Sequence, residues 1–98
     1  TVITGDRHWQ YVSVDPVCSL MEWSVGPASD AHAGGWDETS PRPEHRFLRT
    51  GHGGFLSAKI QPEENKIALI LTLHDVDGRV VYSEEKLAPI ALESPGIN

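Results

Sequence analysis

The stretch Lys66-Ile67-Ala68-Leu69-Ile70-Leu71-Thr72-Leu73-His74 decides the fold of this chain. Side chains of an extended strand alternate between two faces, so Ile67, Leu69, Leu71 and Leu73 share one face and Ala68, Ile70 and Thr72 the other. A strand that is apolar on both sides near its middle belongs at the centre of a sheet rather than at an edge. Turn chemistry brackets it, with Gln61-Pro62-Glu63-Glu64-Asn65 before it and Asp77-Gly78 after it. On the near side, Phe55 to Ile60 puts Leu56, Ala58 and Ile60 on one face; on the far side, Arg79-Val80-Val81-Tyr82 opens a third run. The pattern predicts an antiparallel meander over residues 54–61, 66–74 and 79–86.

Further toward the start, three short β-rich runs alternate with turns. Val2-Ile3-Thr4 is the first, and Tyr11-Val12-Ser13-Val14 alternates until Asp15-Pro16. The third, Leu20 to Val25, stops at Gly26-Pro27. Strands are therefore predicted near 9–15 and 20–26, with Asp15 to Ser19 connecting them as an antiparallel pair. Residues 27–54 are rich in Gly, Pro, His and Asp and keep neither period, and Pro41-Arg42-Pro43 forbids a helix through their middle. This zone reads as an ordered, irregular excursion that packs Trp36 and Phe47 against something. No amphipathic helix is required. As an isolated chain the fold class is all-β, with antiparallel strands forming one flank of a sandwich or mixed sheet.

Ninety-eight residues make one domain at most. A net charge of −6 and a pI near 5.2 argue against nucleic acid as a partner, because phosphate binding needs a cationic face. The longest apolar run, Ile67 to Leu71, is far too short to cross a bilayer. Cys18 is the only cysteine, which rules out an intrachain disulfide and a Cys-rich zinc knuckle; it reads as a small half-buried residue near a turn. The chain opens on Thr1 without a basic, apolar leader, and is expected to be the tail of a larger protein.

The candidate chemistry lies in Gly5-Asp6-Arg7-His8, directly after the first β-rich run. A carboxylate and an imidazole two residues apart can converge on one metal ion or on two neighbouring ones. Asp6 and His8 are thus candidate metal ligands, while a hydrogen-bonded surface loop is the plainer reading of the same four residues. Arg7 falls on the opposite face and is expected to be structural rather than a phosphate clamp. Trp9 and Gln10 are expected to line or support the rim of a pocket.

The run Val2-Ile3-Thr4-Gly5-Asp6-Arg7-His8-Trp9-Gln10 resembles the last metal-binding motif of the PhoD-like alkaline phosphatases and phosphodiesterases, within the calcineurin-like metallophosphatase superfamily. The likeness continues through residues 23–35, His45 to Arg49, Gly53 to Ser57 and His74 to Tyr82, most of the chain. The resemblance implies that residues 1–98 are the C-terminal part of a metallophosphatase domain, one flank of the β-sandwich of a larger α/β protein. It implies phosphoester hydrolysis by a dimetal centre, in which paired ions polarise a phosphoryl oxygen and acidify a water. The superfamily motif usually reads Gly-His-x-His; here His8 matches the second His and Asp6 stands in place of the first. An oxygen donor there favours a harder cation, so iron and calcium are expected, with manganese or zinc as alternatives. The Asp-x-His, Gly-Asp and Gly-Asn-His motif elements that supply the superfamily's other ligands are not matched, so the chain by itself is expected to be inactive. A secreted or periplasmic location and a phosphoester substrate are implied for the parent.

Asp30 and His32 repeat the Asp-x-His spacing within the Gly-rich zone, as supporting or substrate-facing groups or as loop-ordering hydrogen bonders. His45 and His52 lack a spacing partner and read as structural or exposed. Asp75-x-Asp77-Gly78 has the opening of a calcium loop, but its twelfth position is Lys86 where a bidentate Glu is required. Glu63-Glu64 and Glu84-Glu85 read as a solvated acidic face. The competing expectation is an independently folding β-sandwich module that binds or structures without catalysis. If the chain is a piece of a larger protein, Trp9, Trp23 and Trp36 are the candidates for aromatics left without local partners, promoting self-association.

Overall fold

The computed structural model describes residues 1–36 and 42–89. They form two sheets. In chain order the strands are β1 (Val2–Thr4), β2 (Gln10–Val14), β3 (Met21–Ser24), β4 (His45–Arg49), β5 (Gly54–Glu63), β6 (Lys66–Asp75) and β7 (Val80–Pro89). One 3-10 turn, Asp30–His32, interrupts the long connection after β3. The first sheet has the order β1-β3-β2-β4 and the second β5-β6-β7. The described chain is all-β, as the alternation predicted, and β6 is the central strand of its meander.

Three features differ from the sequence reading. Residues 45–49 form a strand inside the zone expected to be irregular, pairing Phe47 with Val12 and Leu48 with Tyr11. Two adjacent apolar residues flanked by charges carry no period-two signal, so the pairing comes from the neighbour rather than from local pattern. β5 runs through Gln61-Pro62-Glu63, which was assigned to the turn; Pro62 is tolerated because β5 is an edge strand, paired on one side only. The turn itself is Glu64-Asn65. The third difference is β1, which pairs with β3 in parallel, Ile3 opposite Trp23.

The sheets pack face to face. Val12, Met21 and Trp23 from the first and Leu71 and Leu73 from the second are buried together, with Val14, Phe47, Leu56, Leu69, Val81 and Tyr82 around them. Trp23 is 0% exposed, which corrects the expectation that it lacks a local partner; Tyr82 lies against it at 5.7 Å and stacks on Phe47 at 4.8 Å. The ion pair Arg46–Glu84, at 2.8 Å, ties the edge of one sheet to the other.

A buried polar joint closes one end of the sandwich. Gln10 is fully buried; its Nε2 donates to the His74 carbonyl at 3.0 Å and its Oε1 accepts from Arg49 Nη1 at 2.9 Å. Arg49 also donates to the Gly53 carbonyl at 3.1 Å. A Cβ on Gly54 would overlap the His74 carbonyl oxygen, so this position takes glycine for its close approach.

The connections use their carboxylates locally. Asp15 Oδ1 accepts from the Val17 and Cys18 amides at 2.8 and 2.9 Å, in a turn that leaves Cys18 exposed rather than half-buried, and Asp75 Oδ1 from Asp77 and Arg79 at 2.9 and 2.8 Å. These amide bonds hold both carboxyls below their ordinary pKa, led by Cys18 for Asp15 and by Arg79 for Asp75. Asp75-x-Asp77-Gly78 is therefore a hairpin turn, with Gly78 at φ 89°.

Candidate functional site

β1 delivers the chain to Gly5, and Asp6 to Trp9 form a bend before β2 begins at Gln10. Asp6 and His8 are both exposed and line one open cleft, together with Arg7, Trp9, Gly34 and Gly35. The His8 carbonyl accepts the Gly34 amide at 2.9 Å, fixing the far wall to the bend. Gly35 sits at φ 110° with its backbone on the Trp9 indole, where a Cβ would come within 2.8 Å of a ring carbon. Gly35→Ala is expected to cost about 1–3 kcal/mol in urea unfolding, through backbone strain and displacement of Trp9. An unchanged midpoint would show that the loop does not rest on Trp9.

Among the described residues, no three His, Cys, Asp or Glu side chains come together so as to hold a metal ion. Asp6 and His8 are thus two donors of suitable chemistry, one oxygen and one nitrogen, whose coordination sphere needs further donors from elsewhere. Arg7 does not point away from this region. Its guanidinium carbon lies 5.5 Å from the centroid of Trp9, and the side chain also reaches the Tyr11 hydroxyl.

On the outer face of the first sheet, next to this cleft, lies a groove of about 360 Å³ that shares Arg7 and Trp9 with it. Trp9 stacks on Trp36 at 5.9 Å, and Arg42 lies 5.1 Å over Trp36. Arg7, Trp9, Trp36 and Arg42 form a ladder of alternating cation–π and ring contacts that seats the long connection on the sheet. Trp9 and Trp36 are each other's partner, contrary to the expectation of unpartnered aromatics. His45, from β4, stands edge-on to Trp36 and 5.7 Å from Tyr11. Its Nδ1 accepts the Arg42 amide at 3.1 Å, which leaves the proton on Nε2 in the neutral ring.

Tyr11 is buried and donates to Glu22 Oε2 at 2.8 Å. Burial first, and Glu22 second, push its pKa from 10.0 to about 12. Tyr82, burial-shifted in the same way and bonded to Glu84, is also raised to about 12. These are the only two tyrosines. A phenol whose folded pKa exceeds its unfolded one stabilises the fold fully below pH 10 and loses that contribution as pH rises toward 12. Phenolate absorbance and folding should therefore titrate together between pH 10 and 12. A phenolate step centred at pH 10 in the folded chain would contradict this.

Asp30, His32 and His52 find local partners. Asp30 Oδ1 accepts the Gly53 amide at 2.7 Å, and His32 Nδ1 pairs with Ser29 Oγ at 2.9 Å, so the loop-ordering reading of Asp30 and His32 holds. His52 lies 3.9 Å from Asp30. Of the two residues expected at a pocket rim, Trp9 lines both the cleft and the groove, whereas Gln10 is buried and lines neither; for the rest of the groove, the clustering of Arg, Trp and His in the irregular zone was the available signal. Compared with known proteins, this chain matches no family model, no curated protein and no solved structure.

Proposed function

We propose that this chain is part of a metal-dependent phosphoester hydrolase and supplies Asp6 and His8 to a dimetal centre completed by donors outside the described residues. The observation that carries this reading is the delivery of Asp6 and His8 by a short strand and a glycine into one open cleft, walled by Gly34 and Gly35, with the Arg7 guanidinium alongside. When bound, the ions supply Lewis-acid polarisation of a phosphoryl oxygen and acidification of a water. The chain's own residues hold and orient. Asp6 offers a hard oxygen suited to iron or calcium, His8 an imidazole suited to iron, manganese or zinc, and Trp9 with the Gly34–Gly35 loop fixes the wall.

The placement of β1 supports a larger sheet. Among the described residues β1 is the last strand of its sheet, and its Val2 and Ile3 are 42% and 50% exposed, an apolar edge of the kind that proteins pair or cover. A neighbouring strand and covering helices would bury them, as in an α/β protein. The other reading, a β module that binds or structures without catalysis, is favoured by one observation: the core around Trp23 closes without outside help.

The test is the reading frame upstream of Thr1. Asp-x-His and Gly-Asn-His elements there, with metal-dependent hydrolysis of a chromogenic phosphodiester by the longer chain, would support the hydrolase. Their absence, or turnover indifferent to chelators, would overturn it in favour of the module.

A further inference from the structure

The groove beside the Asp6–His8 cleft has a composition of its own. Its walls are aromatic and set at angles, with Tyr11 tilted 46° to His45 and Trp36 at 85° to His45. Its cations are two guanidiniums, Arg7 and Arg42, each lying over an indole. A guanidinium held this way is oriented by the ring and presents its in-plane N–H donors to an oxyanion, although Arg7 also directs a donor at the Tyr11 hydroxyl. Neither Arg7 nor Arg42 makes an ion pair among the described residues.

Two carboxylates also border the groove, Glu22 and Glu44. Glu22 is committed to the hydroxyls of Tyr11 and Thr4, at 2.8 and 3.5 Å. Together with the net charge of −6, they disfavour a long polyanion and leave a compact anion as the charged ligand the two arginines can hold. The volume of about 360 Å³ lies at the small end of small-molecule pockets. Arg7 and Trp9 line both the groove and the cleft. An anionic group at Arg7 therefore lies next to Asp6 and His8, while whatever it is attached to extends along the rings.

We propose that this groove receives the ester side of a phosphoester whose ester group carries a planar ring, with Arg7 and Arg42 contacting the phosphate oxygens and Tyr11, Trp36 and His45 the ring. This names a substrate class for the hydrolase reading and rests on it for the reaction, but not for the binding. Arg7 thereby gains a role at the substrate beyond its packing on Trp9.

The binding is testable in the chain without metal. Titration calorimetry of the 98-residue chain in chelator compares phenyl phosphate, inorganic phosphate and glucose 6-phosphate. Phenyl phosphate is expected to bind at least about tenfold more tightly than the other two, since base–aromatic stacking of comparable area is worth about 1–3 kcal/mol. Trp36→Leu should bring it to the level of inorganic phosphate. Arg42→Gln should weaken it about fivefold or more, with an unchanged near-UV circular-dichroism spectrum showing that the loss is not one of seating Trp36. Equal affinity for the three probes, tighter binding of glucose 6-phosphate, no saturable binding, or indifference to Arg42→Gln would each overturn the proposal. Intact ring-dependent binding with no hydrolysis in the longer chain sinks the metal reading alone, and hydrolysis without ring preference sinks only this one.

Discussion

Trp23→Ala is expected to remove a large share of the folding stability and to shift the urea unfolding midpoint strongly downward. The side chain is fully buried at the meeting point of both sheets, against Val12, Leu73 and Tyr82. Truncating a buried tryptophan costs about 3–5 kcal/mol, and a domain of this length has roughly 5–15 kcal/mol in total. The loss falls on a core of few residues, so neighbours cannot collapse to fill it. Trp23→Phe should cost distinctly less. The indole Nε1 is buried with no hydrogen-bond partner, and phenylalanine removes that unpaired donor while keeping most of the contact area. Urea titrations of the two variants decide the matter: equal losses would mean that the area phenylalanine keeps contributes nothing and that the core needs the whole indole.

In the longer, metal-loaded chain, His8→Ala should lower kcat/KM for a phosphodiester by at least about 100-fold, because even the outer partners of metal ligands are worth roughly 10–100-fold. His8 is exposed in a bend, so its removal should leave the unfolding midpoint near the wild-type value. Asp6→Ala should cost as much, with the greater part appearing as weakened affinity for calcium or iron. Asp6→His restores a donor but a softer one, and should move the preference toward zinc. Wild-type turnover in His8→Ala across a metal titration would remove this residue from the site.

The sequence reading of the meander succeeded because β5, β6 and β7 carry long alternation and meet across turns with readable chemistry, Glu64-Asn65 and Asp77-Gly78. β4 was missed because His45-Arg46-Phe47-Leu48-Arg49 has no period of its own and forms only against Val12 and Tyr11. The parallel pairing of β1 was invisible for the same reason, since hydrophobic runs do not encode strand direction. Asp6 and His8 were legible as a pattern, and the structure adds their common cleft. The ladder was not legible: stacking between Trp9 and Trp36 is a long-range contact, and composition alone showed only that aromatics and arginines were present in a loop. The burial of Gln10 runs against its usual surface preference and needed the His74 carbonyl and Arg49 to be seen together.

The parallel strand β1 also sets an order of events during synthesis. Hairpin partners β5, β6 and β7 follow one another across short turns, so each can pair almost as soon as it leaves the ribosome. β1 emerges before all of them, yet its partner is not β2, the next strand to appear, but β3. Until Met21–Ser24 has been made and has paired with β2, Val2 and Ile3 lack the one partner they have among the described strands. They remain the kind of nascent apolar segment that chaperones hold, and the Asp6–His8 bend takes its shape only when that wait ends.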